Sequence, residues 1–319
     1  MSARFAGSGE GGVTGRAAVP SAGADGGAGD GAWGAWDVSV WHEKALALDG
    51  VSLRASPGEV TVVVGGDGAG KTTLLRCLAG ALAPGSGQVR SPGARRIGYL
   101  PAGSGTYPDL TVSENLAFRA AVYGLSPAGA RERADEYLDR AGLATVRHRL
   151  AGQLSGGMRQ KLGVIAAMLP GPDLLILDEP TTGVDPVSRS DLWWLIARAA
   201  AGGSAVVLAT TYLDEAQRAA VVLFLDGGRE LASGTPEEIV AAVPGSLRTA
   251  TARPDGEAAS RAWRRGGRWR VWDPPPGEAG QAGPAGQAGP AGGAIRPDLQ
   301  DAVTIAALAR ELAMAGDTS

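Results

Sequence analysis

Residues 61–78 read TVVVGGDGAGKTTLLRCL, and the architecture can be worked outward from this stretch. A β-branched run over residues 61–64 predicts a buried strand, and the leucines that follow the glycines recur with helical spacing. The glycines let backbone N–H groups turn inward around phosphate oxygens at the positively polarised start of that helix. A strand, a glycine-rich loop ending in Lys71-Thr72, and a helix are the context that a phosphate-binding loop requires.

This loop supplies most of the predicted nucleotide ligands. Lys71 places a positive charge on the β- and γ-phosphates, and the Thr72 hydroxyl is a predicted ligand of Mg²⁺. Asp67 adds an acid near the phosphates, and we expect it to point toward solvent. The predicted nucleotide-binding residues of the loop are Gly65, Gly66, Asp67, Gly68, Ala69, Gly70, Lys71, Thr72 and Thr73.

A second apolar run, residues 174–177, ends in Asp178 and Glu179. Short, fully apolar runs are typical of strands buried on both faces of a parallel sheet. The carboxyl ends of such strands form the ligand-binding edge of the sheet. Asp178 is therefore predicted to hold Mg²⁺, mostly through water, and Glu179 is the candidate catalytic carboxylate that polarises the attacking water.

Residues 154–158 read LSGGM and lie between these two motifs. The three motifs in this order resemble the nucleotide-binding domain of ABC transporters, over about residues 35–243. The resemblance implies an α/β P-loop NTPase, with a RecA-like parallel sheet core and an antiparallel β edge. It also implies an inserted α-helical subdomain at about residues 103–170. A weaker similarity at residues 297–303 resembles an element near the end of exporter ATPase subunits.

The same resemblance implies that the LSGGM segment caps the ATP of a partner subunit. Ser155 is expected to cap the following helix and to donate to a γ-phosphate oxygen, with Gly156 and Gly157 allowing close approach of the backbone. Asp185 matches the loop that crosses the dimer interface in the family. The predicted ligands are therefore ATP and Mg²⁺, and the predicted assembly is a homodimer or a heterodimer of two nucleotide-binding domains.

The chain departs from the family pattern at two positions. Ala102 stands where the family has a glutamine that touches Mg²⁺ and the attacking water. Thr211 replaces a histidine that contacts the γ-phosphate, and its hydroxyl keeps one hydrogen-bond donor there. His42 and His148 lie elsewhere in the sequence, and we expect both at the surface and neither as a substitute. These changes predict that ATP binding is retained and that turnover is reduced.

An aromatic platform for adenine is expected a few residues before the segment at 47–53. Trp41 is the first candidate and Trp36 the second. A base stacked on an aromatic ring gains roughly 1–3 kcal/mol. The alternative is that Trp41 packs on the edge of the sheet.

Composition and the two ends of the chain limit the remaining possibilities. The net charge of −3 gives no overall basic field, so no nucleic acid is expected despite the arginine- and tryptophan-rich residues 260–272. The single cysteine, Cys77, fits a reducing compartment. Residues 1–34 are predicted to be a disordered tail. Residues 244–319 form a predicted C-terminal extension with a Gly/Pro/Ala-rich linker at about 274–294.

Two hypotheses of function follow. In the first, the chain is the ATPase subunit of an ABC-type exporter, lying at the cytoplasmic face of the membrane. Since no apolar run approaches the roughly 18 residues of a membrane span, the membrane-spanning permease is expected to be a separate chain. In the second, the chain is a regulatory ATP-binding module, or the degenerate half of a heterodimer, with weak catalysis. The replacements at Ala102 and Thr211 support the second hypothesis.

Overall fold

A computed structural model describes residues 31–43, 45–275 and 291–316. The described strands are β1 (Trp33–His42), β2 (Ala45–Ala55), β3 (Val60–Val64), β4 (Ser86–Arg90), β5 (Ile97–Leu100), β6 (Leu174–Asp178), β7 (Ala205–Thr210), β8 (Val221–Asp226), β9 (Arg229–Gly234), β10 (Ser246–Ala250), β11 (Ala262–Arg265), β12 (Arg268–Asp273) and β13 (Ala291–Ile295). The described α-helices are α1 (Lys71–Leu78), α2 (Val112–Tyr123), α3 (Pro127–Arg140), α4 (Gly156–Met168), α5 (Pro186–Ala201), α6 (Leu213–Ala216), α7 (Pro236–Ala241), α8 (Glu257–Ser260) and α9 (Leu299–Gly316).

The central sheet has six strands in the order β5-β6-β7-β3-β8-β9. Five of them are parallel, and β9 pairs antiparallel with β8 at the edge. Every residue of β6 and β7 is buried, because helices cover both faces of a parallel sheet. The carboxyl ends of β3, β6 and β7 meet at one edge of this sheet. The predicted α/β fold with an antiparallel edge is confirmed.

A smaller antiparallel sheet, in the order β2-β1-β4, lies over α1. Its apolar face, α1 and one face of the central sheet share one core cluster that includes Leu48, Leu74 and Val207. Strand β1 begins at Trp33, two residues inside the tail predicted to end at residue 34. Gly34 belongs to the sheet because its backbone pairs with Arg54 of β2 on one side and Arg90 of β4 on the other. Residues 1–30 of that predicted tail lie outside the described residues.

Three helices form the block between β5 and β6, within the predicted helical subdomain. A capping box at Thr111 and Glu114 begins α2: the Thr111 hydroxyl accepts from the Glu114 amide, and the Glu114 carboxylate accepts from the Thr111 amide. Ser126 and Ser155 cap α3 and α4 with their hydroxyls. Helix α4 buries most of its length, and its buried Lys161 reaches α5, where its Nζ lies 2.5 Å from Asp191 Oδ2.

The C-terminal residues form a third sheet, in the order β11-β12-β10-β13, with α9 after it. Arg265 and Arg270 reach the fully buried Asp301 at the start of α9 at 3.1 Å and 2.5 Å. Strand β13 begins at Ala291, inside the linker predicted at about 274–294, and its backbone pairs with β10. The rest of that linker from residue 276 lies outside the described residues. No helix in the described part of the chain has the length and apolar character needed to span a membrane.

Candidate functional site

The predicted phosphate loop connects β3 to α1 at the carboxyl edge of the sheet. Gly68 and Gly70 have φ angles of +77° and +101°, which glycine adopts without strain. A Cβ on Gly70 would lie 2.7 Å from the Ala47 carbonyl oxygen, so this position excludes side chains. The loop borders a cavity of about 340 Å³ lined by His42, Ala47, Asp67, Gly68, Ala69, Gly70, Lys71, Thr72, Thr73 and Glu179.

Lys71 is buried and is held by three oxygen atoms. Its Nζ donates to the carbonyls of Gly65 at 2.8 Å and Gly66 at 3.0 Å, and lies 3.3 Å from Glu179 Oε1. The ammonium group is therefore present at the cavity with partners that an anionic phosphate can replace. The first of the two predicted acids, Asp178, lies beside it.

Asp178 and Thr72 form the predicted metal-binding pair. The Thr72 hydroxyl donates to Asp178 Oδ2 at 2.8 Å, and the buried Oδ1 has no hydrogen-bond partner among the described residues. Burial raises the pKa of Asp178 and the Glu179 carboxylate adds to this, whereas the hydrogen bond from Thr72 and the charge of Lys71 lower it. A buried carboxylate oxygen without a partner, next to a hydroxyl, is a donor set that suits Mg²⁺.

Glu179 occupies a strained backbone position directly after β6. Its φ angle of +51° is in the left-handed region, which is uncommon for residues other than glycine. Its amide donates to the Ala209 carbonyl at 3.0 Å, and the Thr182 hydroxyl donates to its Oε2 at 3.2 Å. These contacts direct the carboxylate into the cavity, where a general base for water has to lie.

Among the residues that the structure describes, those that line this cavity include neither the LSGGM residues nor Asp185. Ser155 is exposed, and its hydroxyl accepts from the Met158 amide at 3.2 Å. Asp185 is also exposed and accepts from the amides of Val187 and Ser188, both at 3.0 Å. Those hydrogen bonds, that from Ser188 foremost, lower the pKa of Asp185. Ser155 lies at the exposed N-terminus of α4, and Asp185 lies at the exposed N-terminus of α5.

Gly157 connects these two helix starts. A Cβ at Gly157 would lie 3.5 Å from both the Ser188 hydroxyl oxygen and a Val184 methyl group. Gly156 beside it is exposed, with open space where a side chain would stand. The LSGGM segment therefore lies against the start of α5 on its own chain and presents an open surface on the other side.

Thr211 lies at a second cavity. This cavity measures about 300 Å³ and is lined by Val64, Gly65, Gly66, Thr211, Leu213, Phe224, Leu225, Asp226, Leu231 and Val303. Thr211 therefore lines this second cavity and not the cavity that Lys71 lines. Ala102 is exposed and carries no polar side-chain group. Neither replacement brings a new donor to the Lys71 cavity in the described residues.

The structure places His42, rather than Trp41, beside the phosphate loop. His42 lines the cavity, and its Nε2 lies 3.4 Å from the Thr73 hydroxyl oxygen. Trp41 is 54% exposed, and its ring lies 3.3 Å from the position of a Cβ on Gly85. Trp41 does not line this cavity, so the adenine platform at Trp41 stays a prediction, as does its alternative of packing at the sheet edge. Trp36 is partly buried within β1.

The position of His42 beside the loop does not follow from the sequence pattern, for a structural reason. Adjacent residues of a strand point to opposite faces, so only one of residues 41 and 42 can face the loop. The aromatic signal favoured Trp41, and the side of the sheet on which the loop lies was not visible in the sequence. His42 is at the surface, as predicted, but at the edge of the site.

Comparisons with known proteins agree with this geometry. A family model described as ABC transporter matches residues 48–182. The chain is 39% identical over 198 residues to a probable multidrug ABC transporter ATP-binding protein of Escherichia coli, a match covering 59% of this chain and 34% of that protein. It is 39% identical over 209 residues to a daunorubicin/doxorubicin resistance ATP-binding protein of Streptomyces peucetius, covering 62% and 63%. The chain thus spans about a third of the first relative and under two thirds of the second.

A third relative is matched over more of its length. The chain is 38% identical over 215 residues to a Nod factor export ATP-binding protein of Cupriavidus metallidurans, covering 64% of this chain and 71% of that one. A solved ATP-binding subunit of an ABC transporter superposes with a TM-score of 0.61 at 29% identity, covering 66% and 92%. A dimeric ATP-binding cassette bound to ADP and Pi has a TM-score of 0.58 at 23% identity and shows the fold alone. The chain belongs to the family of ABC transporter ATP-binding proteins.

Proposed function

We propose that the chain is the ATP-binding and ATP-hydrolysing subunit of an ABC-type exporter. The observation that carries the proposal is the convergence of Lys71, the Thr72–Asp178 pair and Glu179 on one cavity. Positive charge, a metal-binding pair and a general base are the three requirements of phosphoryl transfer to water. The relatives named for drug and Nod factor export support the direction of transport.

Each residue has a proposed role. The backbone of residues 65–73 cradles the phosphates, and Lys71 leaves the loop carbonyls to pair with the β- and γ-phosphates. Thr72 and Asp178 would hold Mg²⁺, which would supply positive charge to neutralise the phosphates. Glu179 accepts the proton of the attacking water.

We propose that two nucleotide-binding domains close around two molecules of ATP. The exposed positions of Ser155 and Gly156 support this, because the start of α4 offers amides to an anion and does not line the cavity of its own Lys71. Ser155, Gly157 and Asp185 then contact the nucleotide of the partner. The partner is a second copy or a related chain with a more complete site.

We propose that a separately encoded permease docks at the helical block. Tyr107 and Phe118 form an edge-to-face pair with centroids 5.0 Å apart, and they are 51% and 45% exposed. Val122, one turn further along α2, is 55% exposed. Exposed aromatic groups of this size mark interaction surfaces. The subunit would then lie at the cytoplasmic face of the membrane, with no nucleic-acid partner.

A regulatory ATP-binding module is the second candidate. Ala102 and Thr211 support it, since neither brings a polar group to the Lys71 cavity. Loss of one charge-stabilising donor costs roughly a hundred- to a thousandfold in rate. Both candidates share nucleotide binding and differ in turnover.

Two measurements test these proposals. Calorimetric titration with Mg-ATP should show binding by the wild type and by Glu179→Gln, and none by Lys71→Ala. Steady-state phosphate release, with the permease in vesicles, should be faster for the wild type than for Glu179→Gln. Equal rates for those two proteins would exclude the motor and favour the regulatory module. Retained affinity in Lys71→Ala would refute the assignment of the site.

A further inference from the structure

The C-terminal helix α9 is part of the ATPase core. Leu299 and Ala302 are each 3% exposed and belong to the same core cluster as the helices and strands of the central sheet. Val303 packs against that cluster and lines the second cavity, next to Gly65 and Gly66 of the phosphate loop. The predicted C-terminal extension is therefore continuous with the nucleotide-binding domain at this helix.

Further along α9, Arg310 holds the turn between β8 and β9. Its Nη1 donates to the Asp226 carbonyl at 3.3 Å, and its Nη2 is paired with the Asp226 carboxylate. Asp226 is the last residue of β8 and pairs with Arg229 across the turn. Both charged side chains are partly exposed, at 34% for Arg310 and 53% for Asp226.

That turn in turn supports the phosphate loop. The Gly228 amide donates to the carbonyl of Ala69 in the loop at 3.2 Å, and the Asp49 amide donates to the Gly228 carbonyl at 2.8 Å. A Cβ on Gly65 would lie 2.5 Å from the Leu225 carbonyl oxygen, so the end of β8 packs directly against the start of the loop. Arg310 of α9 thus contacts Asp226, Asp226 pairs across the turn, and Gly228 of the turn contacts Ala69 of the phosphate loop.

We propose that Arg310 is a positioning residue for the nucleotide site, acting through the turn at residues 226–229. The inference rests on the proposed ATP-binding function of the loop. When α9 holds the turn, the Gly228 amide fixes the Ala69 carbonyl, and the loop keeps the shape that receives phosphate. By linkage, bound nucleotide holds α9 in place to the same extent that α9 favours nucleotide. Arg310 contacts neither Asp178 nor Glu179, so it affects affinity and not the chemical step.

The test is a charge exchange measured by calorimetric titration of Mg-ATP into the full chain. Arg310→Glu faces Asp226 with a like charge and should raise Kd about five- to tenfold at low ionic strength. The double variant Arg310→Glu, Asp226→Arg restores the opposite charges and should return Kd to within about threefold of the wild type. On the order of 1 M salt should remove most of the difference between these proteins.

A matched control and a second readout separate positioning from loss of stability. Arg264→Glu changes an exposed arginine on the face of β11 opposite Arg265, and its Kd should equal that of the wild type. In amide hydrogen exchange, saturating Mg-ATP should slow exchange in α9 of the wild type and not of Arg310→Glu. A merely structural role for Arg310 would leave α9 insensitive to nucleotide in both proteins.

The outcomes are distinct. Wild-type Kd in Arg310→Glu, an equal loss in Arg264→Glu, or a loss that the exchanged pair does not recover would each overturn the positioning role. If the wild type itself binds no Mg-ATP, the proposed function fails first, independently of Arg310. A rise in kcat or a fall in kcat without a change in KM would also contradict a role in affinity alone.

Discussion

Removal of Asp191 should destabilise the protein more than removal of its partner Lys161. The Lys161 side chain is 9% exposed, and its Nζ has two acceptors, Asp191 Oδ2 at 2.5 Å and the Ala141 carbonyl at 3.2 Å. Asp191 is 36% exposed and can be hydrated when it stands alone. The buried Lys161 ammonium therefore needs Asp191 to balance its charge more than the hydrated Asp191 carboxylate needs Lys161.

The magnitude follows from what each variant leaves behind. Asp191→Ala leaves a buried ammonium with one neutral acceptor, which places its cost near the lower end of the range for a broken buried pair, about 3 kcal/mol. Lys161→Met leaves a hydrated carboxylate and fills the same space, at a cost of about 1 kcal/mol. The double variant should be more stable than Asp191→Ala by roughly 1–2 kcal/mol, because it removes the uncompensated charge.

Urea unfolding followed by tryptophan fluorescence measures these differences, since Trp193 and Trp194 lie on α5 beside Asp191. In thermal unfolding, 3 kcal/mol corresponds to a melting temperature lower by roughly 6–12 °C. Unequal dependence within the ion pair is refuted if Lys161→Met is the less stable single variant, or if the double variant is less stable than Asp191→Ala. Because Ser155 caps α4 and Asp185 caps α5, the Lys161–Asp191 pair also holds together two surfaces proposed to face the partner.

Three further predictions concern the site itself. The pKa of Asp178 is raised in the folded protein. Ionisation of Asp178 therefore lowers the free energy of unfolding as the pH rises through its folded-state pKa, and this loss is absent below the ordinary pKa of aspartate. Asp178→Asn should therefore melt higher than the wild type at neutral pH without ligands, lose this advantage toward pH ~4, and no longer be stabilised by Mg-ATP in thermal melts. His42→Ala should weaken Mg-ATP binding about tenfold in calorimetry, whereas Trp41→Ala should stay within about twofold, since only His42 lines the cavity. Combining Ala102→Gln with Thr211→His should raise phosphate release at least about tenfold at unchanged Kd, and an unchanged rate would show that these positions do not limit turnover.

The sequence predicted those parts of the site that are local in the chain. Lys71 and Thr72 follow from one loop, and Asp178 with Glu179 from one strand end. Their meeting follows from a general property of parallel sheets, whose carboxyl ends share an edge. The caps at Thr111, Ser155 and Thr235 could be predicted for the same reason, because each is complete within four residues.

Features that depend on which distant surfaces meet could not be predicted. The amphipathic pattern at residues 297–313 indicates a helix, but it does not say that Leu299 and Ala302 complete the main core. The Lys161–Asp191 pair joins residues 30 positions apart on separate helices. The choice between Trp41 and His42 depends on the face of β1 that covers the loop. Each is a property of tertiary packing, to which local spacing is insensitive.

The contact between Lys71 and Glu179 makes the proposed catalytic carboxylate a competitor of the nucleotide phosphate for the same ammonium. The Lys71 ammonium lies 3.3 Å from Glu179 Oε1 and must leave this ion pair to pair with a phosphate, so we expect the carboxylate to lower the affinity of the empty loop for nucleotide. Until phosphate takes its place, the Glu179 carboxylate stays paired with the Lys71 ammonium. Glu179→Gln should therefore retain bound nucleotide for two reasons. Hydrolysis is slower, and Lys71 no longer has an ion pair that competes with the phosphate.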